Sequence, residues 1–400
     1  MGRRRFMKVA SAIGISTSCL RFGTQEGLVS AMGDPSEEVS YVERLRVVED
    51  DDGNPIRREP IYNSISRDEW IRVETASEAQ SRIYRLLRQE FPRSPELNAH
   101  KVESDQSPIG YEIVVRYPVA SDSGGSEVTP HASAQSVAEA LPNTLEITVG
   151  RDEWAATRKG IPVRFSRTQV ERAAQTECGD NDDTPPSYIH DWSDIPAGCC
   201  VWGWPDGDPG TANGTFYHHK YGEYCLIAAG HCVQAPEAGE PNPSWGNPDL
   251  DSPDGYVLDK IDTTDRDYAL LRTYSQNTQR RIRHPSTTTT DYDIYGSITD
   301  QGIQNTYEAT GETVYAQGNV LERVSSQITE YDENNGGGTQ QIKFTADVEC
   351  GDSGGLIFAE SEDGYGAYIL GIINQFYYQN GVDIGNTAEA VENTYNGFYH

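Results

Sequence analysis

Residues 350–355 read Cys350-Gly-Asp-Ser-Gly-Gly355, a serine held between an acid and two glycines. Paired glycines permit a tight backbone that packs closely against its neighbours, so the stretch suits a turn presenting the Ser353 hydroxyl. Alone, such a turn says little. Working outward, two upstream stretches give it meaning: Ala228-Ala-Gly-His-Cys232, and between them Arg266-Asp-Tyr-Ala-Leu-Leu-Arg272. A free serine hydroxyl is a poor nucleophile at neutral pH. A histidine must take its proton, and a buried carboxylate must hold that histidine in the useful tautomer. His231, Asp267 and Ser353 supply the three groups. Asp262 and Asp265 lie close by, but only Asp267 directly precedes an apolar run, Tyr268 to Leu271, that buries the start of its strand.

Gly351-Asp-Ser-Gly-Gly355 also fits the Gly-x-Ser-x-Gly elbow of α/β-hydrolases, which place their histidine after the serine. Here the sole histidine beyond Ser353 is His400, the last residue, so that template is set aside. The surrounding texture agrees. From about Ile195, short β-type runs alternate with Gly, Asn, Asp and Pro turns: Cys200–Trp204, Tyr224–Ala229, Tyr268–Arg272, Gln341–Phe344, Gly355–Phe358 and Ala367–Ile373. Many short strands at this spacing predict an all-β sandwich or barrel. Asn386-Thr-Ala-Glu389 then reads as a capped start to a short C-terminal helix.

Over roughly residues 195–400 the chain resembles the chymotrypsin-like serine proteases, in particular the bacterial branch that writes its histidine motif Ala-Gly-His-Cys. The likeness rests on three short motifs in the order His, Asp, Ser. It implies two antiparallel β-barrels with a short C-terminal helix, His231 and Asp267 on one barrel and Ser353 on the other. It also implies an oxyanion hole from the backbone N–H groups of Gly351 and Ser353. Further implications are Asp347 as an acid for a basic substrate side chain, and Asn374 on an edge strand pairing with substrate backbone. A disulfide from Cys232 to Cys200 is expected, with Cys199 the alternative. Substrates are proteins or peptides; no cofactor is implied, and the chain is expected to be monomeric. The Ile-Val-Gly-Gly mature start of many relatives is missing, so activation by a freed N-terminus is not expected.

Upstream the chain is different. Arg3-Arg-Arg-Phe-Met-Lys8 and a short apolar stretch to Leu20 match a twin-arginine export signal over residues 1–33. Residues 34–190 read as an α+β propeptide or accessory region before a protease domain at 191–400. Its strands are expected near Val39–Val48, Tyr111–Val119, Leu145–Val149 and Ile161–Phe165, and a helix over 75–91, where Ala79, Ile83, Leu86 and Leu87 recur at three to four. Ser121 to Ser136 reads as a linker and Cys178 to Pro186 as an exposed acidic connector.

Acidic residues number 62 against 32 basic, a net charge of −30, and only six of the cations are lysines. Such a surface excludes nucleic acid as a partner and suits a secreted protein working in strong salt. Seven cysteines are compatible with export and disulfides. No Cys/His spacing fits a zinc site. His218 and His219 are read as decorating a hairpin, and Asn213-Gly-Thr in that hairpin is a glycosylation sequon.

Overall fold

The structure, a computed structural model, describes residues 38–94, 97–119, 131–150, 155–169, 194–204, 209–233, 244–246, 254–263, 266–274, 277–285, 289–318, 321–332, 340–346, 348, 351–377 and 382–400. The export signal, the Cys178–Pro186 connector and Asp347 lie outside these residues. The chain packs as two units: one of Met1–Val42, Tyr62–Gln175 and Asp332–Gly338, the other of Glu43–Ile61, Thr176–Tyr331 and Thr339–His400.

Two long strands come first, β1 (Glu38–Glu49) and β2 (Pro55–Ser66). The smaller unit then takes α1 (Arg67–Glu90), β3 (Asn98–Glu103), β4 (Tyr111–Val119), α2 (Ala134–Ala140), β5 (Thr144–Val149) and β6 (Ala156–Gln169). Its sheet runs β3-β4-β6-β5, with β4 and β6 parallel. α1 buries Trp70, Val73, Ala76, Ala79, Ile83 and Leu87, a stripe with helical spacing. It starts eight residues before the sequence expectation because Ser66 caps it, its hydroxyl accepting the Glu69 N–H at 3.2 Å. α2 opens inside the span read as a linker, capped by Ser133.

In the larger unit follow β7 (Asp194–Ala197), β8 (Cys200–Trp204), β9 (Pro209–His218), β10 (Glu223–Ala228), β11 (Ser244–Gly246), β12 (Gly255–Asp262) and β13 (Asp267–Thr273). Next come β14 (Asn277–Arg283), β15 (Thr290–Ile298), α3 (Asp300–Gly302) with a π-helical turn Ile303–Glu308, β16 (Thr313–Gln317), β17 (Val324–Asp332) and β18 (Gln341–Phe344). The chain ends with β19 (Leu356–Glu360), β20 (Gly366–Tyr377), β21 (Val382–Thr387), α4 (Ala388–Tyr395) and β22 (Gly397–Tyr399). The order β10-β13-β12-β11-β8-β9 closes on itself through β9–β10, and β16-β17-β18-β21-β20-β19 closes through β16–β19. These are two antiparallel six-stranded barrels followed by a short helix, the all-β architecture expected from the sequence.

Period-two burial explains why both barrels form. On β10 and β13, Leu226, Ala228, Ala269 and Leu271 fill the first barrel, while Cys225, Ile227, Tyr268 and Leu270 face outward into a second core. That second core also takes Leu356, Phe358, Ile369 and Ile372 from the other barrel. Strands buried on both faces read as continuous apolar runs, which is why Tyr268 to Leu271 carries no polar residue. The second barrel is filled by Val314, Ala316, Ile328, Ile342, Phe344, Ile357, Leu370 and Ile373, among others.

The larger unit also holds a segment that the sequence assigned to the accessory region. From Glu43, β1 pairs with β15, Arg44 opposite Ile298 and Arg46 opposite Gly296. Gly296, at φ +143°, is required there: a Cβ would lie 2.0 Å from the Leu45 carbonyl oxygen.

Candidate active site

Asp267 opens β13 and is 3% exposed. Its carboxylate accepts two bonds from one residue: the His231 backbone N–H reaches Oδ1 at 2.9 Å, and His231 Nδ1 lies 2.6 Å from Oδ2. A carboxylate gripping both the main chain and the ring of a histidine fixes the ring's position and its tautomer. Nδ1 carries the proton, so Nε2 is left as the acceptor. Burial of the ring opposes its charging, but the Asp267 bond outweighs this and holds the imidazole pKa above its ordinary value, with Cys232 and the Asp267 charge adding to the rise. The alternatives fall away: Asp262 is half exposed and pairs with Lys260 at 3.2 Å, and Asp265 lies outside the described residues.

Gly230 in the Ala-Gly-His motif is forced by this arrangement. A Cβ there would sit 2.2 Å from the Ile261 carbonyl oxygen and 2.9 Å from Asp267 Oδ1.

Ser353 is 6% exposed and belongs to the tight turn leading into β19. Gly351 (φ +97°) and Gly354 (φ +90°) adopt the left-handed backbone that glycine alone takes without strain. The turn is tied to β9 of the other barrel. Thr211 donates its N–H to the Ser353 carbonyl at 2.7 Å and its hydroxyl to the Gly351 carbonyl at 2.8 Å. A Cβ on Gly354 would lie 2.8 Å from the Ala229 nitrogen, so the serine turn abuts the segment that leads into His231. Asp352, fully buried, accepts the Leu321 N–H at 2.7 Å.

Asn213 donates to the Gly355 and Gly371 carbonyls at 2.9 and 3.1 Å and is fully buried. This corrects the glycosylation reading, since the amide nitrogen is enclosed and already bonded. Thr211 and Asn213, two residues apart on one face of β9, were not recognised from sequence; polar residues at alternate positions of a strand resemble an exposed face. His218 and His219 do sit at the β9–β10 turn, and burial lowers the pKa of both.

Asn374 departs from expectation. β20 runs between β21 and β15 rather than at an edge, and Asn374 is 4% exposed at an irregularity in its pairing. Its amide is turned into the protein. The expected disulfide also departs: Cys200 and Cys232 are both free thiols, as are Cys199 and Cys225, and all four are buried. The Cys232 sulfur lies where a Cβ on Gly210 would be, 2.5 Å away; it packs down onto β9 and beside His231. No group of His, Cys, Asp and Glu among the described residues could hold a metal ion.

No protein-family model and no curated protein matches this sequence. Similar solved structures include a glutamic-acid-specific serine protease described as using a histidine triad in substrate binding. It shares 18% identity over 52% of this chain and 100% of that one, at a TM-score of 0.39. A Nocardiopsis protease (15%, 51% and 97%, 0.36) and a Cellulomonas bogoriensis chymotrypsin (18%, 52% and 98%, 0.36) are others. At these values the likeness assigns no residue a role.

Proposed function

We propose that the larger unit is a serine endopeptidase, with Ser353 as nucleophile, His231 as general base and Asp267 as the carboxylate that orients it. The observation carrying this reading is the two-point grip of Asp267 on His231. It leaves Nε2 as the ring's free lone pair, on the residue that follows the segment abutting the Ser353 turn. In the reaction Ser353 Oγ adds to the substrate carbonyl and its proton passes to Nε2. The imidazolium is stabilised by Asp267, and the developing oxyanion by the N–H groups of Gly351 and Ser353. His231 then returns the proton to the leaving amine, and water repeats the cycle on the acyl-enzyme.

The substrates are proteins or peptides, and the enzyme is exported and adapted to salt, as the basic N-terminus and the −30 charge suggest. Residues 34–190 serve as an accessory or maturation region. Among the described residues no helix is long and apolar enough to cross a membrane. Labelling by a fluorophosphonate in molar salt, located on Ser353 and lost in S353A, tests the assignment. An intact fold with no labelling would support the rival reading, a catalytically silent binding protein.

A further inference from the structure

Asp267 must stay where it can bond His231 twice, yet it sits at the very first position of β13, where a strand is held least. Its peptide group is gripped by two asparagines from the second barrel. The Asp267 N–H donates to Asn386 Oδ1 at 3.2 Å. With its amide nitrogen toward the main chain, Asn374 donates to the Asp267 carbonyl at 3.1 Å and the Ile373 carbonyl at 3.3 Å; turned over, the same nitrogen donates to Asn386 Oδ1. Asn386 is itself steadied, its Nδ2 reaching the Gln340 carbonyl at 3.5 Å. Both asparagines are buried, at 4% and 0% exposure, and they lie on the adjacent strands β20 and β21.

We infer that Asn386 and Asn374 are positioning residues which clamp the Asp267 main chain from the opposite barrel and so set the His231 ring. Neither touches substrate. The inference rests on the serine-protease reading for its effect on rate, but the clamp itself is independent of it. A buried asparagine is a rigid choice for the task, since its short side chain offers donor and acceptor together. This also accounts for an asparagine that follows three apolar residues, Leu370, Ile372 and Ile373, on β20. Losing the clamp frees Asp267 to drift by fractions of an ångström, which weakens the base without changing the substrate site.

The test compares N386A and N374A with the unaltered chain by proton NMR of the hydrogen-bonded His231 Nδ1–H, and by kcat and KM on a peptide ester. The expected result is a displaced or broadened Nδ1–H resonance in both variants. With it should come roughly a tenfold fall in kcat and little change in KM. A resonance and kcat that stay put while thermal stability drops would overturn the proposal, because Asn386 would then act only as the neighbour of the α4 cap. Should N386A not fold, N374A decides alone, since it leaves β21 and α4 untouched. If the unaltered protein neither hydrolyses esters nor takes a fluorophosphonate, the protease reading fails, and the resonance still decides the clamp.

Discussion

Arg58, on the second N-terminal strand, and Glu392, in the C-terminal helix, form a 2.5 Å ion pair whose side chains are only 8% and 4% exposed. The Arg58 guanidinium also lies 5.3 Å from the centre of the Phe398 ring. Removing one partner of a buried pair strands the other charge, and typically costs about 3–5 kcal/mol. E392Q and R58A should each destabilise the larger unit by that order in urea titrations. Replacing both residues with apolar ones of similar volume should recover most of it. Equal stability of the single variants and the parent would remove the pair from any structural account.

The same contact predicts how the N-terminal region behaves on maturation. The segment Glu43–Ile61 lies in the catalytic sheet: Glu43 accepts the Thr299 N–H at 2.9 Å, and Glu49 pairs with Arg280 at 2.5 Å. Arg44 and Arg46 stack over Tyr368 and Tyr295 at 5.2 and 4.9 Å. Any processing should therefore leave this hairpin bound to the enzyme. A protein lacking residues 1–61 should lose its cooperative thermal transition, whereas one lacking residues 1–37 should keep it. An unshifted transition in the shorter chain would show the hairpin to be dispensable.

His231 links activity to pH in a stated direction. The reaction needs a neutral ring, and Asp267 holds the ring pKa above the ordinary value of about 6.5. The acidic limb of the kcat/KM profile should consequently have its midpoint above that value. Stability from the same pair runs the other way: it is complete below the unfolded-state pKa and is lost as pH rises through the folded one. D267N should move the limb toward lower pH and cut kcat by about 10⁴. A midpoint at or below 6.5 in the parent enzyme, read from esterase assays across pH, would refute the coupling.

How far the sequence carries can be judged residue by residue. Local chemistry was legible: Asp267 was distinguishable from Asp262 by the apolar run behind it, and that run is buried on both faces as its composition implies. Strand runs and the C-terminal helix also follow from period and composition, although Thr387 rather than Asn386 supplies the helix cap, accepting the Ala390 N–H at 3.1 Å. What the sequence hides is long-range pairing. Nothing near Asn386 signals that its side chain serves Asp267, 119 residues away. Likewise nothing in Glu43–Glu49 points to β15. Such contacts depend on register between distant strands, which one chain's local pattern does not encode.

Asn213 gives a sharper test of that distinction. As a sequon it would carry sugar; as a buried donor to two carbonyls it anchors the β19 end of the serine turn. The purified protein from a glycosylating host should show no added mass at Asn213. N213A should destabilise by about 1–3 kcal/mol, since the Gly355 and Gly371 carbonyls lose a buried donor. It should also lower kcat more than it raises KM, because the turn holding Ser353 loosens. Glycan found on Asn213 in folded, active enzyme would contradict the buried position.

The cysteines close the argument, since two of them were expected to be bonded. Cys199 and Cys225 are pushed up to about 12 by burial, and Cys200 higher still, also by burial. A thiol so far from ionising is a poor nucleophile toward alkylating reagents. Iodoacetamide on the native protein should therefore leave Cys199, Cys200 and Cys225 unmodified, while unfolding in guanidinium without reductant should expose all three, together with Cys232, to full alkylation. Peptide mapping distinguishes the cases directly. A linked Cys200–Cys232 peptide recovered from unreduced protein would restore the disulfide and displace the Cys232 sulfur from its seat over Gly210.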